Sequence, residues 1–375
     1  MTPLFFYGTL QHLPLLETIL GGARAKLTPA WFPDHEVLWA KDEAFPMIQS
    51  APGKRAEGLL VEDLDADGVA RLDFYELGFG YELQDVTVET ESGPAPARVY
   101  FPEPGLWTPG DPWSLQDWAD RWGDLTCIAA KEELEHFDAG FSAEEVVRRD
   151  PQIRQRAAAR LNASLAEPPA KVRADLGRGD ISVTSHTRPY TEYFAVEEMR
   201  LTHRQFDGTT SPEVRRAAFV QGDAVTVLPY DPVRDRVLLV EQFRFGPFVR
   251  GDKRPWQLEA VAWRLDPGET PEDTARREAA EESSLNLGDL HLVAEYYPSP
   301  GAITEYVYSY VAMADLPDGA GGIGGLDTEH EDIRNHVLSF ADAFALIASG
   351  EIVNAPLILT LQWLSTHRER LRGAG

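Results

Sequence analysis

One stretch, residues 265–285, constrains the fold of this chain most, because it reads as a loop that turns into a helix at a definite point. Thr270 can cap that helix through its hydroxyl. The helix then gathers carboxylates on one side, because three glutamates follow at spacings of three and four residues. They are Glu278, Glu281 and Glu282. A lone pair of glutamates usually marks a solvated face, whereas a cluster of like charges is relieved by a hard cation such as Mg²⁺ or Mn²⁺.

The order of residues around this helix resembles the signature of the Nudix hydrolases, which cleave nucleoside diphosphates linked to another group. Glu269 is followed, after seven residues, by Arg277 and then by Glu-Ala-Ala-Glu-Glu-Ser-Ser-Leu at 278–285. Two positions depart from the family pattern. The glycine that closes the helix is Ser284 here, which costs a modest backbone penalty. The family's first glycine is Trp263, so a bulky indole stands beside the expected metal site.

Two structural outcomes are open for Trp263. If the family's glycine serves an unusual backbone angle, Trp263 is strained and shifts the neighbouring Ala262 carbonyl away from the metal. If the glycine only provides space, the indole lies across the pocket mouth, where it stacks on a base or excludes water. The intact residues on both sides favour the second outcome. Trp263 also keeps open a different function, a sensor that binds ADP-ribose without cleaving it.

Other features of this half are similar to the ADP-ribose pyrophosphatase branch of the family. Glu-Gln-Phe-Arg at 241–244 ends a strand with Arg244, whose guanidinium suits a bidentate phosphate contact and could otherwise form a structural salt bridge. Ser-Pro-Gly-Ala-Ile-Thr-Glu at 299–305 matches a loop of the branch and supplies Glu305 as a substrate contact. A glycine-rich run at 321–325 leads to a segment that contains two further glutamates.

The resemblance implies a Mg²⁺-dependent hydrolase, with Mn²⁺ as the other suitable ion, that splits ADP-ribose into AMP and ribose 5-phosphate. It implies four metal ligands: the Ala262 carbonyl, Glu278, Glu282 and Glu331. The metal would neutralise phosphate oxygens and lower the pKa of an attacking water. Glu329 is the expected base, and Arg277 is expected to form a structural ion pair with Glu269. Another nucleotide sugar, such as GDP-mannose, is the alternative substrate.

The beginning of the chain has the pattern of a small mixed barrel. The apolar run at 4–10 predicts a buried strand that enters a tight loop. A strand at 56–61, a short helix at 69–75 and a hairpin made by 86–90 and 97–100 follow.

Two motifs in this region resemble the gamma-glutamylcyclotransferase-like family. The family's Tyr-Gly-x-x loop is matched by Tyr7, Gly8, Thr9 and Leu10. Its second mark is matched by Leu-Asp-Phe-Tyr-Glu at 72–76 and by Tyr81. The resemblance implies that the loop binds the substrate's carboxyl end and that Glu76 is the general base. The base takes a proton from an α-amino group, which closes a five-membered ring and expels the amine. This domain could therefore carry the main activity.

Length and composition predict the domain organisation. A chain of 375 residues is longer than one hydrophobic core usually supports, so two domains are expected. Prolines and glycines cluster at 102–112, and residues 167–179 lack a hydrophobic period. We therefore predict a cyclotransferase-like domain at 1–102, a helical extension and linker at 103–174, and a Nudix domain at 175–375. The fold class is α+β, with a small mixed barrel and appended helices followed by an α/β/α sandwich.

Charge and cysteine content limit the partners and the compartment. Lys and Arg number 35 against 61 Asp and Glu, and the net charge of −26 argues against a nucleic acid or an anionic membrane as partner. The expected partner is a small nucleotide sugar, and the resemblance adds a homodimer. The single cysteine, Cys127, excludes an internal disulfide, and no leader or long apolar run is visible. A cytoplasmic location is therefore expected.

Overall fold

The structure, a computed structural model, describes residues 2–283, 286–324 and 332–373. The chain divides into two compact units, Met1–Pro168 and Pro169–Gly375. Each unit buries hydrophobic clusters of its own, as expected for a chain longer than one core supports. None of the helices in the described ranges has both the length and the apolar character needed to cross a membrane.

The first unit is built around a closed five-stranded barrel. Its strands are β1 (Leu4–Phe6), β2 (Lys26–Ala40), β3 (Pro46–Glu62), β4 (Tyr81–Thr90) and β5 (Gly93–Pro102). The order β3-β1-β5-β4-β2 closes because β2 also pairs with β3. The predicted hairpin is confirmed, since β4 and β5 pair antiparallel. A further strand, β6 (Pro109–Pro112), pairs with β2, so pairing continues beyond residue 102.

Helices pack on this barrel. They are α1 (Leu13–Leu20), α2 (Ala66–Leu77), α3 (Leu115–Trp118), α4 (Asp124–Asp138), α5 (Ala143–Val147) and α6 (Asp150–Leu165). A π-helical turn at Ala119–Gly123 joins α3 to α4. Trp118 and Leu134 of these helices share a buried cluster with Leu4 and Phe6 of β1. The barrel and the helical extension therefore share one core.

The second unit begins with a three-stranded antiparallel sheet. It contains β7 (Ile181–Thr191), β8 (Ala195–His203) and β9 (Val214–Val220), in that order. The sequence gives little sign of β7. Nearly all of its side chains are exposed and it contains Pro189, so no buried alternation marks residues 181–191 as a strand.

In the described residues, the larger sheet of the second unit has eight strands. They are β10 (Ala224–Asp231), β11 (Arg236–Phe243), β12 (Trp256–Glu259), β13 (Val261–Arg264), β14 (Leu290–Tyr296), β15 (Val307–Met313), β16 (Gly322–Gly324) and β17 (Ile333–Ser339). The main order is β14-β15-β10-β11-β17-β16, while β12 pairs with β11 and β13 pairs with β10. The sheet is mixed, because β10 and β15 run parallel.

Helices cover both faces of this sheet. They are α8 (Pro271–Ser283), α9 (Phe340–Ser349) and α10 (Ala355–Gly373), whereas the short α7 (Phe245–Arg250) contains no buried residue. Side chains alternate along a strand, and in β10 Val225 packs in the cluster that includes α8, whereas Leu228 packs in the cluster that includes α9 and α10. The predicted α/β/α sandwich is therefore confirmed.

Candidate functional site

Helix α8 begins where the sequence predicts. The Thr270 hydroxyl accepts a hydrogen bond from the Asp273 backbone N–H at 3.2 Å, which satisfies one of the unpaired donors of the first turn. Ala275 and Ala279, four residues apart, are buried against the sheet. The α8 backbone includes Glu281 and Glu282, but their side chains lie outside the described part. Ser284, Leu285, Glu329 and Glu331 also lie outside the described residues.

Arg277 ties the loop before α8 to the helix itself. Its Nε and Nη2 donate to the two Glu269 carboxylate oxygens, each at 2.9 Å. Nη2 also donates to Asp266 at 2.7 Å, and Nη1 donates to Glu278 Oε1 at 2.8 Å. The hydrogen bonds from Arg277 hold the pKa of Glu269 below its usual range. The predicted structural ion pair between Arg277 and Glu269 is confirmed, and the same guanidinium fixes the position of the Glu278 carboxylate.

Trp263 lies in strand β13, and neither outcome expected for it matches the structure. Trp263 pairs with Val225 of β10, as Ala262 does with Thr226, and Trp263 is not among the non-glycine residues with positive φ. The backbone is therefore not strained. The indole is only 7% exposed and packs in the cluster that contains Ala275 and Ala279 of α8. An indole buried beneath the helix cannot lie across the pocket mouth, so that prediction is wrong.

This burial predicts that Trp263→Ala destabilises the second unit. Removing a buried indole leaves a cavity under α8 and should lower the free energy of unfolding by about 3 to 5 kcal/mol. Urea unfolding would measure it, with Trp256→Ala as the matched control, because Trp256 is 54% exposed and should cost much less. Equal stability of wild type and Trp263→Ala would show that the indole is not part of the core.

Arg244 forms a salt bridge with Glu259. Its Nε and Nη2 donate to Glu259 Oε2 at 2.9 and 2.6 Å, and Asn354 donates to the other oxygen at 3.1 Å. The structural alternative considered for Arg244 is thus present. Arg244 Nη1 makes no hydrogen bond to any residue in the described ranges, so the guanidinium keeps one donor group for another ligand. The phosphate contact of Arg244 stays a prediction.

Glu305 lies in a region that also contains two arginines. Burial raises the pKa of the Glu305 carboxyl, and the positive charges of Arg264 and Arg244 act against that rise. Arg264 lies over the ring of Tyr193 at 4.1 Å and near that of Phe194 at 5.4 Å. A single arginine at the end of a strand forms no motif, so the sequence alone does not point to Arg264. The structure thus brings Arg244, Arg264 and Glu305 into electrostatic range of one another.

The structure describes part of the predicted metal site. Among the side chains it describes, no group of three or more His, Cys, Asp or Glu is placed to hold a metal ion. Two of the four predicted ligands, the Glu282 side chain and Glu331, lie outside that part of the chain. The two described ligands, the Ala262 carbonyl and the Glu278 carboxylate, are hard oxygen donors of the kind that Mg²⁺ and Mn²⁺ prefer. All four metal assignments stay predictions.

In the first unit, Glu76 and the loop after β1 form a second candidate site. Burial raises the pKa of Glu76, in the last turn of α2, to about 7. The Glu76 charge also raises the pKa of three buried or half-buried tyrosines, after the larger effect of their own burial. They are Tyr7, Tyr81 and Tyr100. The Tyr7 hydroxyl donates to the Tyr100 carbonyl at 3.1 Å.

The predicted binding loop is closely packed. A Cβ at Gly8 would lie 3.0 Å from Pro46 Cγ, so a larger residue would need Pro46 to move. Thr9 begins a 3₁₀ turn, Thr9–Gln11, and the Leu10 side chain is buried. Any contact of Leu10 with substrate would therefore use its backbone. The substrate roles of Tyr7, Gly8, Thr9 and Leu10 stay predictions.

Two family models match the chain. The model for gamma-glutamyl cyclotransferase, AIG2-like, matches residues 4–120, and the NUDIX domain model matches residues 220–361. The ADP-ribose pyrophosphatase of Escherichia coli strain K12 is 39% identical over 204 residues, which cover 54% of this chain and 97% of that protein. The ADP-ribose pyrophosphatase of Haemophilus influenzae is 34% identical over 195 residues, which cover 52% of this chain and 89% of that protein. The GDP-mannose pyrophosphatase of Salmonella choleraesuis is 34% identical over 152 residues, which cover 40% of this chain and 78% of that protein.

Proposed function

We propose that this chain, which belongs to the Nudix hydrolases through its second unit, splits the diphosphate of ADP-ribose into AMP and ribose 5-phosphate. The main support is the 39% identity to an ADP-ribose pyrophosphatase over 97% of that protein's length. The similarity to the GDP-mannose pyrophosphatase covers 40% of this chain, so GDP-mannose is the second candidate substrate. The Arg277 network at α8 supports a working Nudix helix.

Mg²⁺, or Mn²⁺ in its place, would be held by the Ala262 carbonyl, Glu278, Glu282 and Glu331. A bound ion of this kind neutralises phosphate oxygens and lowers the pKa of a nearby water. The protein's own residues orient a metal ligand and accept a proton. Arg277 Nη1 holds Glu278 Oε1 at 2.8 Å, which orients that carboxylate. Glu329 accepts the proton of the attacking water.

Arg244 and Arg264 would bind the diphosphate. Glu259 holds Arg244 through Nε and Nη2, so the guanidinium is oriented before substrate arrives and Nη1 donates to a phosphate oxygen. Arg264 is held against the Tyr193 ring and adds a second positive charge. Glu305, near both arginines, would contact the same substrate.

A panel of nucleotide sugars tests this function. The full chain is incubated with each compound and Mg²⁺, and the products are identified by mass. AMP and ribose 5-phosphate from ADP-ribose are the expected result. Formation of GMP from GDP-mannose, with ADP-ribose unchanged, would show that GDP-mannose is the substrate instead. Binding of ADP-ribose without any product would favour a sensor.

The first unit supports a second activity, the release of 5-oxoproline from gamma-glutamyl compounds with Glu76 as the base. The observation that favours it is the placement of Glu76 beside the Tyr7 loop, with a pKa of about 7 that allows the carboxyl both to hold and to release a proton near neutral pH. The family model over residues 4–120 agrees with this activity.

A further inference from the structure

Helix α4 brings a second buried carboxyl group toward Glu76. Ala130 and Leu134 of α4 share a buried cluster with Leu72 of α2, and Glu133 lies between them in sequence. Glu76 follows Leu72 by one helical turn, so it lies on the same side of α2. Helix α4 lies beyond residue 120, where the match to the cyclotransferase family ends, so Glu133 is an addition to the matched barrel.

Two adjacent glutamates on α4 have different surroundings. Glu132 is 2% exposed and accepts hydrogen bonds from Arg156 Nε and Nη2 at 3.0 and 2.6 Å, which accounts for its burial. Glu133 is 4% exposed, and no residue in the described ranges donates a hydrogen bond to it or forms an ion pair with it. A buried carboxyl without a partner is unfavourable unless it keeps its proton or meets a ligand. Glu132 is therefore structural, and Glu133 is available for chemistry.

Burial, more than the surrounding charges, favours the protonated form of Glu133. Burial raises the pKa of the Glu133 carboxyl, Asp150 of α6 adds to that rise and Arg154 of α6 opposes it, which gives a pKa of about 8. Glu132 and Glu76 add smaller effects in the same direction as burial. Tyr75 of α2, whose own pKa is raised by burial and by Glu133, also faces the group. The pKa of Glu133 is thus raised further than that of Glu76, so Glu133 keeps its proton to a higher pH than Glu76 does.

We propose that Glu133 is the general acid of the Glu76 site and protonates the amine that leaves a gamma-glutamyl substrate. This rests on the cyclotransferase activity proposed above. The α-amino nitrogen forms a bond to the gamma carbonyl carbon and gives its proton to Glu76. The bond from that carbon to the leaving nitrogen breaks, and this nitrogen takes the Glu133 proton. Solvent returns a proton from Glu76 to Glu133, so the cycle consumes none.

The test compares two leaving groups in the full chain. An alkylamine leaves as a strong base and needs a proton, whereas 4-nitroaniline leaves as a weak base and needs little help. Glu133→Gln should lower kcat on a gamma-glutamyl alkylamide by about 10²- to 10⁴-fold, and on gamma-glutamyl 4-nitroanilide by less than about tenfold. The ratio of the two rates within one protein does not depend on the fraction that is folded.

The pH profile gives a second readout. Wild-type turnover of the alkylamide should fall above about pH 8 as Glu133 loses its proton, and Glu133→Gln should lack that decline. The matched control is Glu144→Gln, because Glu144 is an exposed carboxylate on α5. This variant should leave kcat unchanged on both substrates. Equal losses on both substrates would mean a structural or binding role and would overturn the inference.

The remaining outcomes separate the inference from the activity on which it rests. If wild type releases 5-oxoproline and Glu133→Gln matches it on both substrates, the cyclotransferase stands and the role of Glu133 is refuted. If wild type releases no 5-oxoproline from either compound, both the activity and the inference are refuted.

Discussion

Replacing Glu329 with Gln should lower kcat for ADP-ribose by about 10²- to 10⁴-fold, and added Mg²⁺ should not restore it. An amide cannot accept the proton of the attacking water, and more metal does not supply a base. Residue 329 lies outside the described residues, so the prediction follows from the similarity of its segment to the pyrophosphatase branch. Initial rates of AMP formation across a range of Mg²⁺ concentrations would measure the effect.

Glu278→Gln is the matched comparison, because it also replaces a carboxylate by an amide. The change removes a negative ligand but keeps an oxygen that can accept from Arg277 Nη1. Metal affinity should fall, and high Mg²⁺ should recover part of the rate. Recovery of Glu329→Gln by Mg²⁺ would instead place Glu329 among the metal ligands and make Glu331 the better candidate for the base.

The parts of this structure that the sequence predicts best depend on local spacing. The Thr270 cap and the pairing of Arg277 with Glu269 are set within one loop and the first turns of one helix, so the order of residue types is enough to predict them. The same is true of the β4–β5 hairpin, in which both strands lie on either side of a short turn.

Trp263 was not predictable in this way, because its environment depends on which face of β13 is covered by α8. A motif position occupied by glycine in the family gives no information on where an indole will point. In the structure, Trp263 and Ala262 alternate along the strand, and the Trp263 face is the one that packs on Ala275 and Ala279. The core beneath α8 accommodates the substitution.

Contacts between distant segments also cannot be predicted from the sequence pattern. The salt bridge of Arg244 with Glu259 joins the residue that follows β11 to the last residue of β12, and these two strands pair only after folding. The approach of Glu133 to Glu76 needs α4 to pack beside α2. Neither relation leaves a periodic pattern in the sequence, since each depends on the register or rotation of separate elements.

Glu76→Gln should abolish release of 5-oxoproline and leave ADP-ribose hydrolysis unchanged. The amide cannot take the α-amino proton, and Glu76 belongs to the first compact unit, whereas the Nudix match lies in the second. In wild type the base must be ionised, so kcat for the gamma-glutamyl substrate should rise as pH increases through about 7. Paired assays of 5-oxoproline and AMP on one preparation would measure both activities.

The same substitution should also change how stability depends on pH. Burial raises the pKa of Glu76 from an ordinary value of 4.5 to about 7, so the folded chain holds this proton more tightly than the unfolded chain. The contribution of Glu76 to the free energy of unfolding is therefore fully present below about pH 4.5 and is lost as pH rises through about 7. Glu76→Gln removes that loss and should be more stable than wild type at pH 8. The control is Glu57→Gln, because Glu57 is an exposed carboxylate on β3, and this variant should not be more stable than wild type. Urea unfolding of the first unit at pH 5 and pH 8 would decide it. If wild type and Glu76→Gln show the same pH dependence, Glu76 is ionised throughout and its burial does not prepare it to act as a base near neutral pH.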